Sequence, residues 1–234
     1  MARGKLIVIE GPDCSGKETQ TKRLISYLKE KGEKVINYSF PMYNTPTGKI
    51  VGGPYLGKEA ICNGWFPEGA ASVDAKVASL YYAADRLYNI GIINSHLDEG
   101  YDVILDRYVE SSMAHQGGKI ADSKKRHAMY EYIESLEFDL LGLPRPDAVI
   151  LLYMPVEAAR VLRQNRTEKL DELERDENHL KLAESAYLEL AQMYDYNVVN
   201  CAENGRIKTI EEISDEVINT YENLTLSNIK KRNK

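Results

Sequence analysis

The chain has 234 residues, 43% of them apolar and 28% charged, and a formal net charge of -6; this is an ordinary balance for a globular domain with a sizeable core. An acidic chain with no long basic block is a poor partner for duplex nucleic acid, and no apolar stretch is long enough to cross a bilayer. The three cysteines, Cys14, Cys62 and Cys201, are odd in number and scattered, which argues against a disulfide framework or a zinc site and, with no signal peptide visible at the start, for a reduced cytoplasmic setting.

Leu6-Ile7-Val8-Ile9 reads as a buried strand, and it runs directly into Gly11-Pro12-Asp13-Cys14-Ser15-Gly16-Lys17-Glu18. A strand, a glycine-bearing loop and a helix in that order make a phosphate-binding loop. Its backbone N–H groups turn toward phosphate oxygens, the following helix adds the positive end of its dipole, and Lys17 reaches the terminal phosphates of a nucleoside triphosphate. The pattern asks for Ser or Thr after the lysine to hold Mg²⁺. Here Glu18 stands in that place and the hydroxyl comes one residue later, at Thr19. A glutamate can meet the metal, directly or through water, or it can repel the triphosphate.

Helical spacing covers Thr19 to Lys31, with Leu24, Ile25 and Leu28 on one face and Gly32 as the stop. Val35 to Phe40 is a second strand, ended by Pro41. The Gly- and Pro-rich stretch from Pro46 to Gly69 is read as one short helix and much loop. Ser72 to Glu99 is a long helix with Val77, Leu80, Tyr81, Ala84, Leu87, Tyr88 and Ile92 at helical spacing, a stripe suited either to the core or to an interface. Val103 to Leu105 is a strand ending in Asp106-Arg107-Tyr108. Residues 122–141 are helical, and Ala148 to Tyr153 is another buried strand. One broken helix or two cover 155–193, Asn197 to Val199 is a short last strand, and Ile210 to Tyr221 is a last helix. The basic end, Lys230-Lys231-Arg232 with Lys234, is assigned to a flexible tail over 225–234. Alternating strands and helices predict an α/β fold, a parallel sheet of about five strands with helices on both faces, in a single domain.

In such sheets ligands collect at the carboxyl ends of the strands. The phosphate loop, Phe40-Pro41 and Asp106-Arg107 all fall there. Asp106 is placed as a metal-side aspartate would be, or as a cap for the next helix. Tyr82 and Arg86, four residues apart, share a helix face from which a ring and a guanidinium can address a base, although aromatics at this spacing are commonly core and Asp85 can pair with Arg86. Arg160, Arg163, Arg166 and Lys169 recur every three residues and are followed by Glu168, Asp171, Glu172, Glu174 and Arg175. This is the pattern of a solvated helix face, or of a mobile cationic segment closing over a phosphoryl group.

These blocks in order resemble the thymidylate kinase family, P-loop enzymes that phosphorylate dTMP from ATP. The resemblance runs from Lys5 to about Tyr221, through Glu10-Gly11-Pro12-Asp13 with Gly16-Lys17 and Thr19-Gln20; Phe40-Pro41 with Thr45 and Gly48; Tyr82 through Asp85-Arg86; Asp106-Arg107-Tyr108 with Ser111; Ala114 with Gln116-Gly117-Gly118; and Pro146-Asp147. It implies that residues 11 and 13–19 hold ATP. It implies that Asp13, Phe40, Tyr82, Arg86, Arg107, Ser111 and Gln116 hold dTMP, with Tyr82 stacking on thymine, Arg86 reading its edge and Arg107 clamping the acceptor phosphate. It further implies Mg²⁺ near Asp106 and Glu18, a lid around 157–176 and a homodimer. Members with no arginine in the phosphate loop supply it from the lid. Cys14 stands at that loop position, so Arg163 and Arg166, with Arg160 behind them, become the catalytic cations beside Lys17 and Arg107. Three departures stand out. They are Glu18, Tyr43 where the family often has arginine, and His115 where an aromatic is common, which either shifts sugar recognition or only fills space. The competing readings are a kinase for another (deoxy)nucleotide or deoxynucleoside, a nucleotide-binding protein with turnover impaired by Glu18, and a nucleic-acid-dependent ATPase.

Overall fold

The computed structural model describes residues 2–164 and 169–232, with side chains placed to Arg163 and from Lys169 to Leu224. Its centre is a five-stranded sheet in the order β2-β3-β1-β4-β5, formed by β1 (Leu6–Glu10), β2 (Val35–Ser39), β3 (Asp102–Asp106), β4 (Ala148–Tyr153) and β5 (Asn197–Asn200). Every neighbouring pair is parallel. Side chains alternate across a strand, so the apolar run of β1 feeds two cores. Leu6 and Val8 meet Val103, Leu105, Val149 and Leu151 on one face, while Ile7 and Ile9 meet Ile104, Ile150 and Leu152 on the other. Full burial of each such side chain contributes about 1.5–3 kcal/mol.

Helices α1 (Lys17–Glu30) and α9 (Ile210–Arg232) cover the second face. The first is covered by α3 (Ala75–Asp98), α4 (Val109–Gly117), α5 (Ser123–Glu134) and α8 (Glu177–Met193). The backbone of α9 is helical to Arg232, so most of the stretch assigned to a tail continues the last helix. Pro46 to Gly69 holds the short α2 (Pro46–Ile50), one turn of π-helix over Val51–Tyr55 and a long loop. Together with α3 and Leu173 this region builds a third, smaller core from Val51, Tyr55, Leu56, Ala70, Val73 and Ala78. The segment 155–193 is three helices, with α6 (Val156–Gln164) and the four-residue α7 (Glu172–Arg175) ahead of α8.

The long helix forms as its spacing predicts, but its apolar stripe faces outward. Val77, Leu80, Leu87, Tyr88 and Ile92 are 43%, 49%, 43%, 61% and 51% exposed, whereas Asp85, Arg86 and Asn89 are buried. The inner face is polar because it ties neighbouring segments together. Asp85 accepts hydrogen bonds from Met42 N at 2.9 Å, Thr47 Oγ1 at 2.9 Å and Asn89 Nδ2 at 2.9 Å. That carboxylate anchors the loop after β2 and does not pair with Arg86.

Candidate active site

The carboxyl ends of β1, β2 and β3 open into a cavity of about 450 Å³. On its floor the phosphate loop joins β1 to α1. Gly11 has a φ of +152°, and a Cβ there would lie 2.5 Å from the Leu152 carbonyl oxygen, so only glycine lets β1 turn this close to β4. Asp13, Cys14, Gly16, Lys17, Glu18 and Thr19 line the cavity. Ser15 lies just beneath, 1% exposed, and its hydroxyl has no partner among the described residues, as suits a loop built for an anion. Lys17 donates to the Gly11 and Pro12 carbonyl oxygens at 2.9 and 2.8 Å. Burial, and next the Arg107 charge, pull its ammonium down to about 8. Glu18 projects into solvent and pairs with Lys22 at 2.5 Å, one turn along α1.

Asp106 and Arg107 follow β3. Arg107 has a left-handed backbone (φ +66°), which aims its side chain at the phosphate loop. There it forms an ion pair with Asp13, and it reaches Ser111 Oγ at 3.4 Å. Burial opposes the Arg107 charge, but the surrounding acids, Asp13 first, more than offset it and raise its pKa.

The sequence reading passed over Glu10 as a site residue. It ends β1 fully buried, and its carboxylate accepts from Tyr108 N at 2.8 Å, Ser111 N at 3.1 Å, Ser111 Oγ at 2.7 Å and the Tyr187 hydroxyl at 2.9 Å. It thus satisfies the open end of α4 and fixes Arg107 and Ser111 between the loop and that helix. An acid closing an otherwise apolar buried strand was the available signal.

Phe40, Tyr43, Tyr82, Ser111, Ser112, His115 and Gln116 line the rest of the same cavity. Tyr82 packs edge-on against Tyr55, with ring centroids 5.7 Å apart. The Gln116 amide is fully buried beside the Tyr55 hydroxyl, and neither its oxygen nor its nitrogen reaches a partner at ordinary hydrogen-bond geometry among the described residues. Such an amide is costly unless a ligand supplies an acceptor and a donor. His115 Nδ1 and His179 Nε2 are 3.0 Å apart, so one donates and the other accepts. Burial, and then its neighbour's charge, hold His115 well below the usual imidazole range; burial and Lys119 lower His179 to about 4.

Two of the expected site residues lie elsewhere. Arg86 is 1% exposed and stands behind the cavity wall. Its guanidinium is taken up by Glu137 in a buried ion pair, by Ser112 Oγ at 2.6 Å and by the Tyr108 carbonyl at 3.1 Å. It therefore holds Ser112, which faces the cavity, and does not itself face it. Arg163 is 9% exposed on α6 and is not among the lining residues, and Arg160 pairs with Glu177 at 2.6 Å. Arg166 lies outside the described residues. The 157–176 segment instead contributes Asp171, Leu173 and Glu174, with Lys58 reaching Asp171 at 3.3 Å from across the cavity.

The family model for thymidylate kinase matches residues 9–213 of this chain. A probable thymidylate kinase of Methanocaldococcus jannaschii is 30% identical over 224 residues, which is 96% of this chain and 99% of the relative. The thymidylate kinase of Mycobacterium tuberculosis is 34% identical over 192 residues, 80% of this chain and 85% of that one. Among solved structures, a thymidylate kinase from Candida albicans superposes with a TM-score of 0.68 at 26% identity, covering 96% of this chain and 95% of the other.

Proposed function

The chain belongs to the thymidylate kinase family, and from that premise we propose how its own residues transfer the γ-phosphoryl group of ATP to the phosphate of dTMP, giving dTDP. The observation that carries the reading is the shared cavity. The phosphate loop, the Arg107–Ser111 pair, the Tyr82 ring and the unpartnered Gln116 amide all open into one space of about 450 Å³.

Residues 11 and 13–19 cradle the ATP phosphates, and Lys17 neutralises the terminal ones. Arg107 holds the acceptor phosphate, with Asp13 and Ser111 beside it. Tyr82 and Phe40 flank the base, and Gln116 addresses the base or sugar through its amide. The acceptor phosphate is already anionic, so no general base is required; positioning and charge neutralisation lower the barrier. Among the described residues no cluster of three metal-ligating side chains occurs. Mg²⁺ needs none, since it keeps several waters and binds through one or two carboxylates together with substrate phosphates. Asp106, which lines the cavity at the end of β3, would hold such an ion, with Glu18 reaching it only by giving up Lys22, and the ion would supply positive charge to the transferring phosphates. An exposed pair such as Glu18–Lys22 contributes little and is readily exchanged. In the family's pattern Arg163 and Arg166 would add positive charge from the lid, and Arg163, buried on α6 away from the cavity lining, would have to turn out of its present place to do so. The outward stripe of α3 is the surface for a second copy of the chain. No helix among the described residues is long and apolar enough to cross a membrane, and the three free cysteines suit a reduced cytoplasm.

The test is a coupled ADP-release assay with ATP and Mg²⁺ against a panel of nucleoside monophosphates. Turnover on dTMP well above the others is expected. Preference for a different monophosphate would overturn the assignment of Tyr82 and Gln116, and silence from folded protein would favour a binding protein crippled by Glu18.

A further inference from the structure

The glycine-rich loop after α2 is not used by the reaction, yet it receives a side chain from the lid segment. Glu172, the first residue of α7, sits with its carboxylate among Gly57, Gly64 and Gly69. Its Oε2 accepts from Ala70 N at 2.7 Å, and its own N–H donates to the Leu56 carbonyl at 3.1 Å. A Cβ on Gly57 would come within 2.8 Å of its Oε1, and one on Gly64 would overlap that oxygen outright. Gly69 would approach Oε2 to 3.7 Å. The loop is therefore shaped to a carboxylate at this point. α7 is braced as one piece, because Asp171 and Glu174 cap each other's backbone at its start. Seating Glu172 consequently seats Asp171, Leu173 and Glu174, which line the cavity where Leu173 shares the third core with Tyr82 and Tyr43, on the side assigned to the acceptor.

We propose that Glu172 is a positioning residue for the acceptor, a latch whose docking in the 57–70 loop completes the acceptor wall without touching substrate. The identity of the acceptor rests on the kinase reading; the latch itself does not.

The full-length protein carrying Glu172→Ala, Gly64→Ala, or both, tests it. Gly64 has no left-handed backbone, so alanine is tolerated there except by the Glu172 carboxylate. Each single change is expected to raise KM for dTMP about tenfold while KM for ATP moves by less than about threefold. The double variant should be no worse than either single one, because both remove the same contact. Glu172→Gln, which keeps an oxygen for Ala70 N–H, should recover part of the loss. Hydrogen exchange at the Ala70 amide should accelerate in Glu172→Ala whether or not the enzyme turns over. Additive losses in the double variant, an unchanged KM for dTMP in Glu172→Ala, or unchanged exchange at Ala70, overturns the latch. If the wild type fails to use dTMP, the kinase reading falls while the exchange measurement still decides the latch.

Discussion

Glu110 shows how far a single side chain can depart from its local sequence. In the first turn of α4 it reads as an acid placed to suit the helix dipole. It is turned inward instead, 4% exposed, with one carboxylate oxygen lacking a partner among the described residues. Burial, and then the Glu10 charge, push its carboxyl from 4.5 up to about 8. The unfolded chain releases this proton first, so Glu110 costs stability progressively as pH rises from about 4.5 to about 8. Glu110→Gln should therefore stabilise the fold on the order of 3–5 kcal/mol at pH 8 and very little near pH 4.5, which urea unfolding at the two pH values will check. Equal effects at both would show that the carboxyl titrates in the folded chain as it does in the unfolded one, and that burial does not hold its proton. Arg86 carries a similar lesson. Its spacing from Tyr82 correctly put both on α3, but its direction is set by Glu137, far away in sequence, and no local pattern announces such a partner. Asp106 and Arg107 were legible in place because they stand at a strand end, and Lys17 because the glycine loop after β1 fixes its position.

At the scale of elements, the strands and most helices were legible because apolar runs and glycine stops are local signals. Which way a helix faces is not local. The stripe of α3 satisfied the rule for a buried face, yet the inner face was claimed by the Asp85 and Arg86 networks, leaving Leu80, Leu87, Tyr88 and Ile92 outward. Tyr88, 61% exposed, has little to lose in the isolated chain. Tyr88→Glu should accordingly leave thermal unfolding of the isolated chain unaltered while shifting sedimentation from dimer to monomer. A wild-type chain that sediments as a monomer would sink the pairing. The segment 157–176, expected to be a lid, illustrates the opposite difficulty. Its arginines were conspicuous in sequence, but the side chains it brings to the cavity are Asp171, Leu173 and Glu174. They arrive there because α7 docks on a loop about a hundred positions earlier, a contact that neither segment reveals alone.

The whole molecule was legible as a class. All-parallel pairing with helical crossovers leaves few arrangements, and the alternation of β1 between two cores is written in Leu6-Ile7-Val8-Ile9. The floor of the cavity was legible, since the phosphate loop, Phe40-Pro41 and Asp106-Arg107 all stand at the carboxyl ends of strands; the side formed by Asp171, Leu173 and Glu174 was not, since it depends on a distant segment docking there. The cavity's consequence for the protein as a charged body concerns the Arg107–Asp13 pair. A chain of net charge -6 that takes polyanionic substrates must draw them in against its own charge, and Arg107, the guanidinium proposed to receive one of them, is already paired with a carboxylate of the chain itself. Acceptor entry is then an exchange of one anion for another. A phosphate can displace Asp13, whereas a neutral sugar hydroxyl has no charge with which to compete. Thymidine should accordingly be neither phosphorylated nor inhibitory at concentrations where dTMP saturates, as a competition assay will show. On that assignment the resting chain would yield its cation only to a rival charge, and the selection of nucleotides over nucleosides would lie in the Arg107–Asp13 pair and not in the base pocket.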